Sequence, residues 1–573
     1  MPLRIKTRSG SASPEERRPL LETPDLNLFR SLRARGKRPA KMKGDILPFP
    51  TPSYVSSSSK LIAVLLVGCS MITSTTFGYD GSMINGLNIL PSYADYFNLN
   101  TATTGLNTAS VWIGGILAGL TFGKVTDVIG RRPALFWSAI ITIVAVILQS
   151  AAQNIAMFVI ARILIGFGTS ASGLCGPVYL SETLPLNWRG WGLGIFNDFY
   201  YVGGLIAAGI TYGTSGMTST WAWRIPSIMQ GFFSILCIVI LPFIPESPRW
   251  LAYENRKNEA LEVVALTYAN GDATDPIVLV AFKEIVDTID FEKNVGETLS
   301  LKQMIKTPNA RKRVTIACSL AVFSTLAGNI IVSYYLGTML TNAGITSTTT
   351  QLQINIILNA WCLVCSIVGT GFADWIGRKA TGIISTTLAM IFLFLVGGLT
   401  KVYGTSTNNS GIYGTVACIF LFQGSYSFGW TPLLYMIPPE VLNYGIRANG
   451  MGVFQFVLNA TALWGVFAFP FALEGIGWKT YMINAAWDVV ALLFIVFYWV
   501  ETKGKTLEEI DELIDGVKHS DVPDVNAVRD GKEELGDVLH GVGFQTAAGG
   551  PAFDQVEAPS KMDAPGTTTR DLE

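Results

Sequence analysis

The sequence predicts an all-α, multi-pass membrane protein whose spanning helices, about twelve in number, fall into two related halves of six. Three observations predict this. Half of the 573 residues are hydrophobic and only 14% are charged, with a mean hydropathy of +0.40. A soluble chain of this size needs far more charge to cover its surface. The apolar residues also come in long blocks, each near the ~20 needed to cross a bilayer's hydrocarbon core, with Leu61–Tyr79, Pro133–Ala152 and Met482–Val500 the plainest. Finally, charged signatures recur in the same order in the two halves.

Residues 1–59 are polar and basic without an apolar core, so they read as a disordered cytosolic tail and not as a cleavable signal. Spans are then expected near 60–80, 105–124, 133–152, 155–176, 192–212 and 225–244, making a first bundle over 60–244. Residues 245–313 read as a cytosolic linker, with helical periodicity at Trp250–Ala269 and Val278–Ile289. The second bundle, 314–500, has spans near 314–337, 352–373, 380–400, 412–436, 450–472 and 480–500. The tail, 501–573, begins with an amphipathic stripe of Leu507, Ile510, Leu513 and Ile514, then turns Gly-, Asp- and Pro-rich and reads as disordered. Glycines inside the spans, such as Gly114, Gly115 and Gly119, permit close helix contact in lipid.

Positive charge is segregated. Segments 81–103, 212–222 and 338–350 contain no Lys or Arg, and Lys401 and Lys479 are the only other external candidates. The alternate segments carry Lys124, Arg131 and Arg132, Arg189, a basic stretch around 249–313, Arg378 and Lys379, Arg447, and Lys503 and Lys505. The positive-inside rule therefore places both termini and the linker in the cytosol, which requires an even number of spans and favours twelve over eleven. Asn408-Asn409-Ser410 then lies outside as a glycosylation sequon on Asn408.

Other chemistries are poorly provided for. The net charge of −1 and the lack of any nucleic-acid motif argue against a nucleic-acid partner. All seven cysteines fall in expected spans and read as packing residues; Cys362-x-x-Cys365 has no second pair and no nearby histidine to make a metal site. Neither a nucleophile–base pair nor a cofactor motif is visible, so neither an enzyme nor a cofactor is expected.

The repeat is carried by three pairs of signatures. Asp127-Val-Ile-Gly130-Arg131-Arg132 answers to Asp374-Trp-Ile-Gly377-Arg378-Lys379. Glu182 with Arg189 seven residues on answers to Glu440 with Arg447 at the same spacing, and Glu246-Ser-Pro-Arg249 answers to Glu501-Thr-Lys503. Their common order and nearly constant offset, each at a cytosolic helix end, indicate two homologous halves.

These motifs resemble the sugar porter family of the major facilitator superfamily. The matching stretches are Gly123-Lys-Val-Thr-Asp127-Val-Ile-Gly-Arg-Arg132, Arg162-Ile-Leu-Ile-Gly-Phe-Gly168 and Pro177-Val-Tyr179-Leu-Ser-Glu182 leading to Arg189-Gly190. They continue with Pro245-Glu-Ser-Pro-Arg249 and Glu501-Thr-Lys-Gly-Lys-Thr-Leu-Glu-Glu509, so the resemblance covers roughly residues 60–515. Trp223-Arg-Ile-Pro226, Gly328-Asn-Ile-Ile-Val-Ser-Tyr-Tyr335, Gly429-Trp-Thr-Pro432 and Gly475-Ile-Gly-Trp-Lys-Thr-Tyr481 resemble its fungal lactose-permease and cellodextrin-transporter branch. The resemblance implies the major facilitator fold, two pseudo-symmetric six-helix bundles. It also implies alternating-access transport of a hexose or disaccharide by a monomer in the plasma membrane, with protons as coupling ion. A facilitative uniporter of the same fold, or a nontransporting sugar sensor, remains an alternative.

The repeated charges sit where helices leave the membrane. Asp127, Arg131, Glu182, Arg189, Glu246 and Arg249, with Asp374, Arg378, Glu440, Arg447 and Glu501, can latch the halves together on the cytosolic side. Such a latch needs only a few kcal/mol, because alternating access requires two states of similar energy. The bland alternative is topology determinants and weak surface pairs, yet topology alone does not call for acids at fixed spacing.

Charge inside a span is costly and points to function. The candidates are Asp80, Arg162, Asp198 and Asp488; His519 and His540 both lie in the tail, so a proton relay would use a carboxylate. Asp80, in Phe77-Gly-Tyr-Asp80, resembles the family's span-one acid, which in proton-coupled relatives faces the span-four arginine, here Arg162. A carboxylate beside a guanidinium can titrate as helices move. The alternative is a helix-end acid that merely pairs. Asp488 reads as a pairing or lipid-interface residue.

A sugar offers hydroxyls around a ring with apolar faces, so its site wants amides, hydroxyls and an aromatic platform. By family register the candidates are Asn197 and Asp198 in the first half, and Thr325, Asn329, Tyr334, Tyr335, Tyr435 and Asn459 in the second, with Tyr334 and Tyr335 as an external gate. Sugar porters usually carry glutamine at the Asn197 position and one or two glutamines on span seven, where this chain reads Phe323-Ser-Thr325-Leu-Ala-Gly328. The shorter side chains imply a wider cavity suited to a disaccharide, or a substrate other than a common hexose. Any one of these residues could instead be a polar packing contact.

Overall fold

The computed structural model describes residues 55–88, 90–294, 303–342, 347–403 and 409–516. Asn408, His519, His540 and most of both tails lie outside the described residues. The first half comprises α1 (Ser59–Leu87), the short α2 (Pro91–Tyr96), α3 (Thr101–Ile129), α4 (Arg131–Ser150), α5 (Ile155–Thr183), α6 (Leu186–Thr214) and α7 (Trp221–Ile240). Four short helices follow: α8 (Pro248–Tyr253), α9 (Lys257–Tyr268), α10 (Pro276–Asn294) and α11 (Gln303–Lys306). The second half comprises α12 (Pro308–Leu326), α13 (Asn329–Asn342), α14 (Thr348–Ile376), α15 (Arg378–Tyr403), α16 (Asn409–Val441), α17 (Tyr444–Ile476) and α18 (Lys479–Tyr498), and α19 (Leu507–Asp515) closes the described chain.

Ten of these helices are long and apolar enough to cross a membrane. The other two crossings are α16, punctuated by Pro432, Pro438 and Pro439, and the α12–α13 pair. The sequence predicts one continuous helix for that seventh span; the structure breaks it at Gly328, whose φ is +89°. A Cβ there would lie 3.1 Å from Phe422 and 3.2 Å from Leu393, so the turn requires glycine on both conformational and steric grounds. Backbone groups freed inside a membrane need a partner, and the Leu326 carbonyl finds one in Asn484 Nδ2 at 2.8 Å.

The apolar surface faces outward. Leu120, Ile147, Val239, Val364, Phe471 and Phe497 are each more than half exposed, whereas Asp80, Arg162, Asp198 and Asp488 are fully buried. This is the arrangement a lipid solvent demands. The halves meet through α3 against α17 and α6 against α14. One apolar core runs across them from Leu66, Leu174 and Phe196 to Met436 and Phe454.

The short helices gather at one end of the bundle, here termed the linker face, around Leu251, Leu261, Val264, Val278 and Ile285. Ser59, at the start of α1, bonds to Leu266 and Asn270 of this group. The α19 stripe turns Leu507, Ile510 and Ile514 inward and leaves Leu513 exposed. Arg313 of α12 anchors α19 through Asp511 at 2.5 Å and Asp515 at 2.8 Å.

Candidate functional site

At the linker face each half builds the same charge knot. Arg131 grips Glu182 through Nε at 2.9 Å and Nη2 at 3.1 Å, with Asp127 3.6 Å away. Arg378 likewise pairs with Glu440 at 3.3 Å and Asp374 at 3.0 Å. The helix starts at Arg131 and Arg378 follow Gly130 and Gly377, whose φ values are +92° and +106°. Glu246 accepts from the backbone N–H groups of Arg131 and Arg132, and Glu501 from those of Arg378 and Lys379, so each acid neutralises orphan donors at a helix N-terminus. Two residues outside the expected set complete the knots. Ser247 Oγ donates to Glu182 and Thr502 Oγ1 to Glu440, both at 2.6 Å. Each directly follows the repeated acid, the signal that could have found it.

The knots also reach across the halves. Arg447 Nη1 lies 3.3 Å from Glu182 Oε1, Asn449 Nδ2 donates to Asp127 Oδ2 at 3.0 Å, and Tyr444 underlies the Arg131 guanidinium at 5.4 Å. Arg189 donates to the Lys505 carbonyl, whereas Arg249 ties the linker back to the first half through the Glu182 carbonyl at 2.9 Å. In this conformation the linker face is thus clasped by contacts between the halves.

Inside the first half, Arg162 Nη1 meets Asp80 Oδ1 at 2.7 Å, and both side chains are buried. Gln230 Nε2 donates to the same oxygen at 3.0 Å, and Arg162 Nε to the Asn107 carbonyl at 3.4 Å. The Asn107 amide in turn donates to the Tyr93 hydroxyl. Gln230 and Asn107 escape sequence reasoning because a neutral amide in a span reads as a packing contact.

Between the halves lies a cavity of about 90 Å³ in this clasped conformation. Asn197, Thr325, Asn329, Tyr334 and Tyr435 all line it. Asn197 Nδ2 donates to the Thr431 carbonyl at 2.6 Å, Asn329 Oδ1 accepts from Gln423 and Ser333, and the Tyr435 hydroxyl donates to Gln455 at 3.3 Å. One wall is aromatic: Phe77 packs edge-on against Trp112 and Tyr200, and Trp112 against Tyr334. Tyr201 closes the same wall, with its hydroxyl taking a bond from Ser427 at 2.7 Å. The cavity therefore offers amides, hydroxyls and flat apolar faces.

Two expected residues point elsewhere. Asp198 turns to α14, where Thr370 Oγ1 donates to it at 2.6 Å, because one residue along a helix rotates the side chain by about 100° from Asn197. Asn459 packs between the halves, donating to the Gln455 carbonyl at 2.6 Å and lying 3.4 Å from Ser170 Oγ, while its neighbour Leu458 faces the cavity. Tyr335 lies on α13, but its side chain is outside the described residues. Asp488 is buried on α18, and neither carboxyl oxygen has a hydrogen-bond partner among the described residues.

Comparison with known proteins fits this geometry. The chain is 30% identical to a high-affinity glucose transporter of Kluyveromyces lactis, over 77% of this chain and 83% of that protein. It is 28% identical to the MFS-type transporter criB of Aspergillus cristatus, over 82% of this chain and 98% of that protein. Its fold matches the solved structure of the proton:xylose symporter XylE bound to 6-bromo-6-deoxy-D-glucose, with a TM-score of 0.70 at 22% identity, covering 79% of this chain and 99% of XylE. Residues 66–514 match the family model described as sugar (and other) transporter, and this multi-pass membrane chain belongs to that family.

Proposed function

We propose that this protein is a proton-coupled sugar transporter of the plasma membrane. It works as a monomer in the bilayer, with the linker face and both termini in the cytosol. The observation that carries the reading is the placement of the amide- and aromatic-lined cavity between the halves, beside the buried Asp80–Arg162–Gln230 cluster and above the clasped linker face. The bundles over 60–244 and 314–500 rock against each other, and the 245–313 linker tethers them. Sugar enters from the side opposite the clasp. Protonation of Asp80 breaks its ion pair with Arg162, which lets the loaded halves close over the sugar and the clasp part. The glucose transporter and proton:xylose symporter among the similar proteins support the substrate class and the coupling.

A facilitative uniporter is the second reading, favoured by the two fixed donors that hold Asp80 Oδ1. Uptake of labelled hexoses, disaccharides and polyols into transporter-null cells, at several external pH values, tests both. Symport requires uptake that rises as external pH falls and accumulates sugar above equilibrium. Uptake that only equilibrates, with no response to pH, sinks the coupling; no uptake of any sugar sinks the whole reading.

A further inference from the structure

A second, partly open chamber, about 40 Å³ in this conformation, lies on the far side of the central cavity, away from the linker face. Tyr200, Tyr201, Ser333 and Tyr334 line both spaces and so form the partition between them. The outer chamber is walled by the amides of Asn85, Asn355, Asn359 and Gln423, with Ser82 at its edge, and no charged side chain among the described residues lines it.

Two of these amides are held at one end and free at the other. Asn359 donates to Asn355 Oδ1 at 3.2 Å, leaving Asn355 Nδ2 buried without a partner among the described residues. Gln423 Nε2 is spent on Asn329 at 2.7 Å, leaving Gln423 Oε1 equally unpartnered. Asn355 is only 5% and Gln423 only 3% exposed. Buried polar groups are nearly always satisfied, so an oriented free donor and an oriented free acceptor on one chamber wall call for an occupant that supplies both. A hydroxyl does so, and the Tyr200 and Tyr201 rings add a flat apolar face.

We propose that the outer chamber is a second ligand subsite, taking a neutral polyhydroxylated ring through Asn355, Gln423 and Ser82. The inference rests on the sugar-transport reading. Its occupant is either the far ring of a longer sugar lying across the tyrosine partition or a separate monosaccharide waiting outside it.

Equilibrium binding of tritiated D-glucose and tritiated lactose to the full chain in phosphatidylcholine–phosphatidylglycerol nanodiscs separates the two. Two bound equivalents of glucose identify a separate molecule. Lactose binding at least tenfold tighter than glucose, at one equivalent, identifies a longer sugar. Asn355→Leu and Ser82→Ala, neither of which lines the central cavity, should abolish the second equivalent or the tenfold advantage. The first glucose equivalent should shift less than threefold. A wild-type chain that binds one glucose and gains nothing from lactose shows a chamber holding water only, and overturns the subsite while leaving sugar transport intact. That wild-type arm decides the matter even where a variant fails to fold; variants that match wild type in both arms overturn it as well. A wild-type chain that binds no sugar at all overturns the transport reading, and the subsite falls with it.

Discussion

Arg447 of the second half reaches Glu182 of the first at 3.3 Å, entering a carboxylate already gripped by Arg131 and Ser247. Glu182 is therefore shared between a bond that holds one half together and a bond that holds the two halves shut. Removing the second leaves the first intact. Arg447→Ala is expected to shift the balance toward a parted linker face by about tenfold, equivalent to ~1.4 kcal/mol. A cysteine at Gln455, buried where α17 meets α5, should then react about tenfold faster with a membrane-permeant maleimide than in the parent carrying the same cysteine. Equal labelling rates would show that the pair does not bias the two states.

Glu182→Gln acts on both bonds at once. Arg131 and Arg447 are buried beside it, and stripping a buried cation of its counter-charge costs roughly 3–5 kcal/mol. The variant should lose transport and more thermal stability in detergent than Arg447→Ala, which spares the Arg131–Glu182 bond but gives up Arg447's bonds to the Pro439 and Leu442 carbonyls. Identical melting of the two variants would count against the division of roles.

Asp80→Asn removes the acidic group while keeping the shape that Arg162 and Gln230 hold. Uphill accumulation of sugar should vanish, along with the rise of uptake at low external pH. Exchange of labelled for unlabelled sugar at equal concentrations needs no proton and should persist within about threefold. A pH response that survives in this variant would place the proton site elsewhere.

Tyr435 lines the cavity with its ring, and its hydroxyl donates to Gln455. Tyr435→Ala should weaken sugar binding by at least about tenfold, or ~1.4 kcal/mol, whereas Tyr435→Phe keeps the stacking face and should cost less than half of that free energy. Competition of labelled sugar on membranes from each variant is the direct comparison. A larger loss in Phe than in Ala would assign recognition to the hydroxyl.

Gly328→Ala should destabilise the protein by ~1–3 kcal/mol, because φ near +89° is strained for any residue with a Cβ. Gly475, near the end of α17, has open space where a Cβ would stand, and Gly475→Ala should be neutral or mildly stabilising. Melting curves of the two variants side by side make the contrast.

The charged features were readable because each breaks a strong rule. Asp80 and Arg162 are ions inside apolar spans, and the knot residues repeat at helix ends. The cavity was readable only in part. Tyr200, Tyr201 and Trp112 lie on helices whose polar and apolar residues are not segregated to opposite faces, so the sequence carries little signal for which side faces the partner half. The same loss of rotational information explains why Asp198 and Asn459 are expected in a cavity that their neighbours Asn197 and Leu458 line. The break in span seven was hidden because Ala327-Gly328 sits within a stretch of full spanning length, and only the packing of Phe422, Leu393 and Asn484 against it shows why the helix stops.

The anchoring of α19 bears on how the protein is made. Arg313 is buried at the start of the second half, yet its counter-charges, Asp511 and Asp515, lie 198 and 202 residues further along the chain. Thr506 bonds back to Glu284, 222 residues upstream. During synthesis five further spans must leave the ribosome while that guanidinium stays in water. The second bundle is sealed by residues translated after all of its spans, so a nascent chain stalled before residue 511 presents the quality-control machinery with an open seam at the membrane surface.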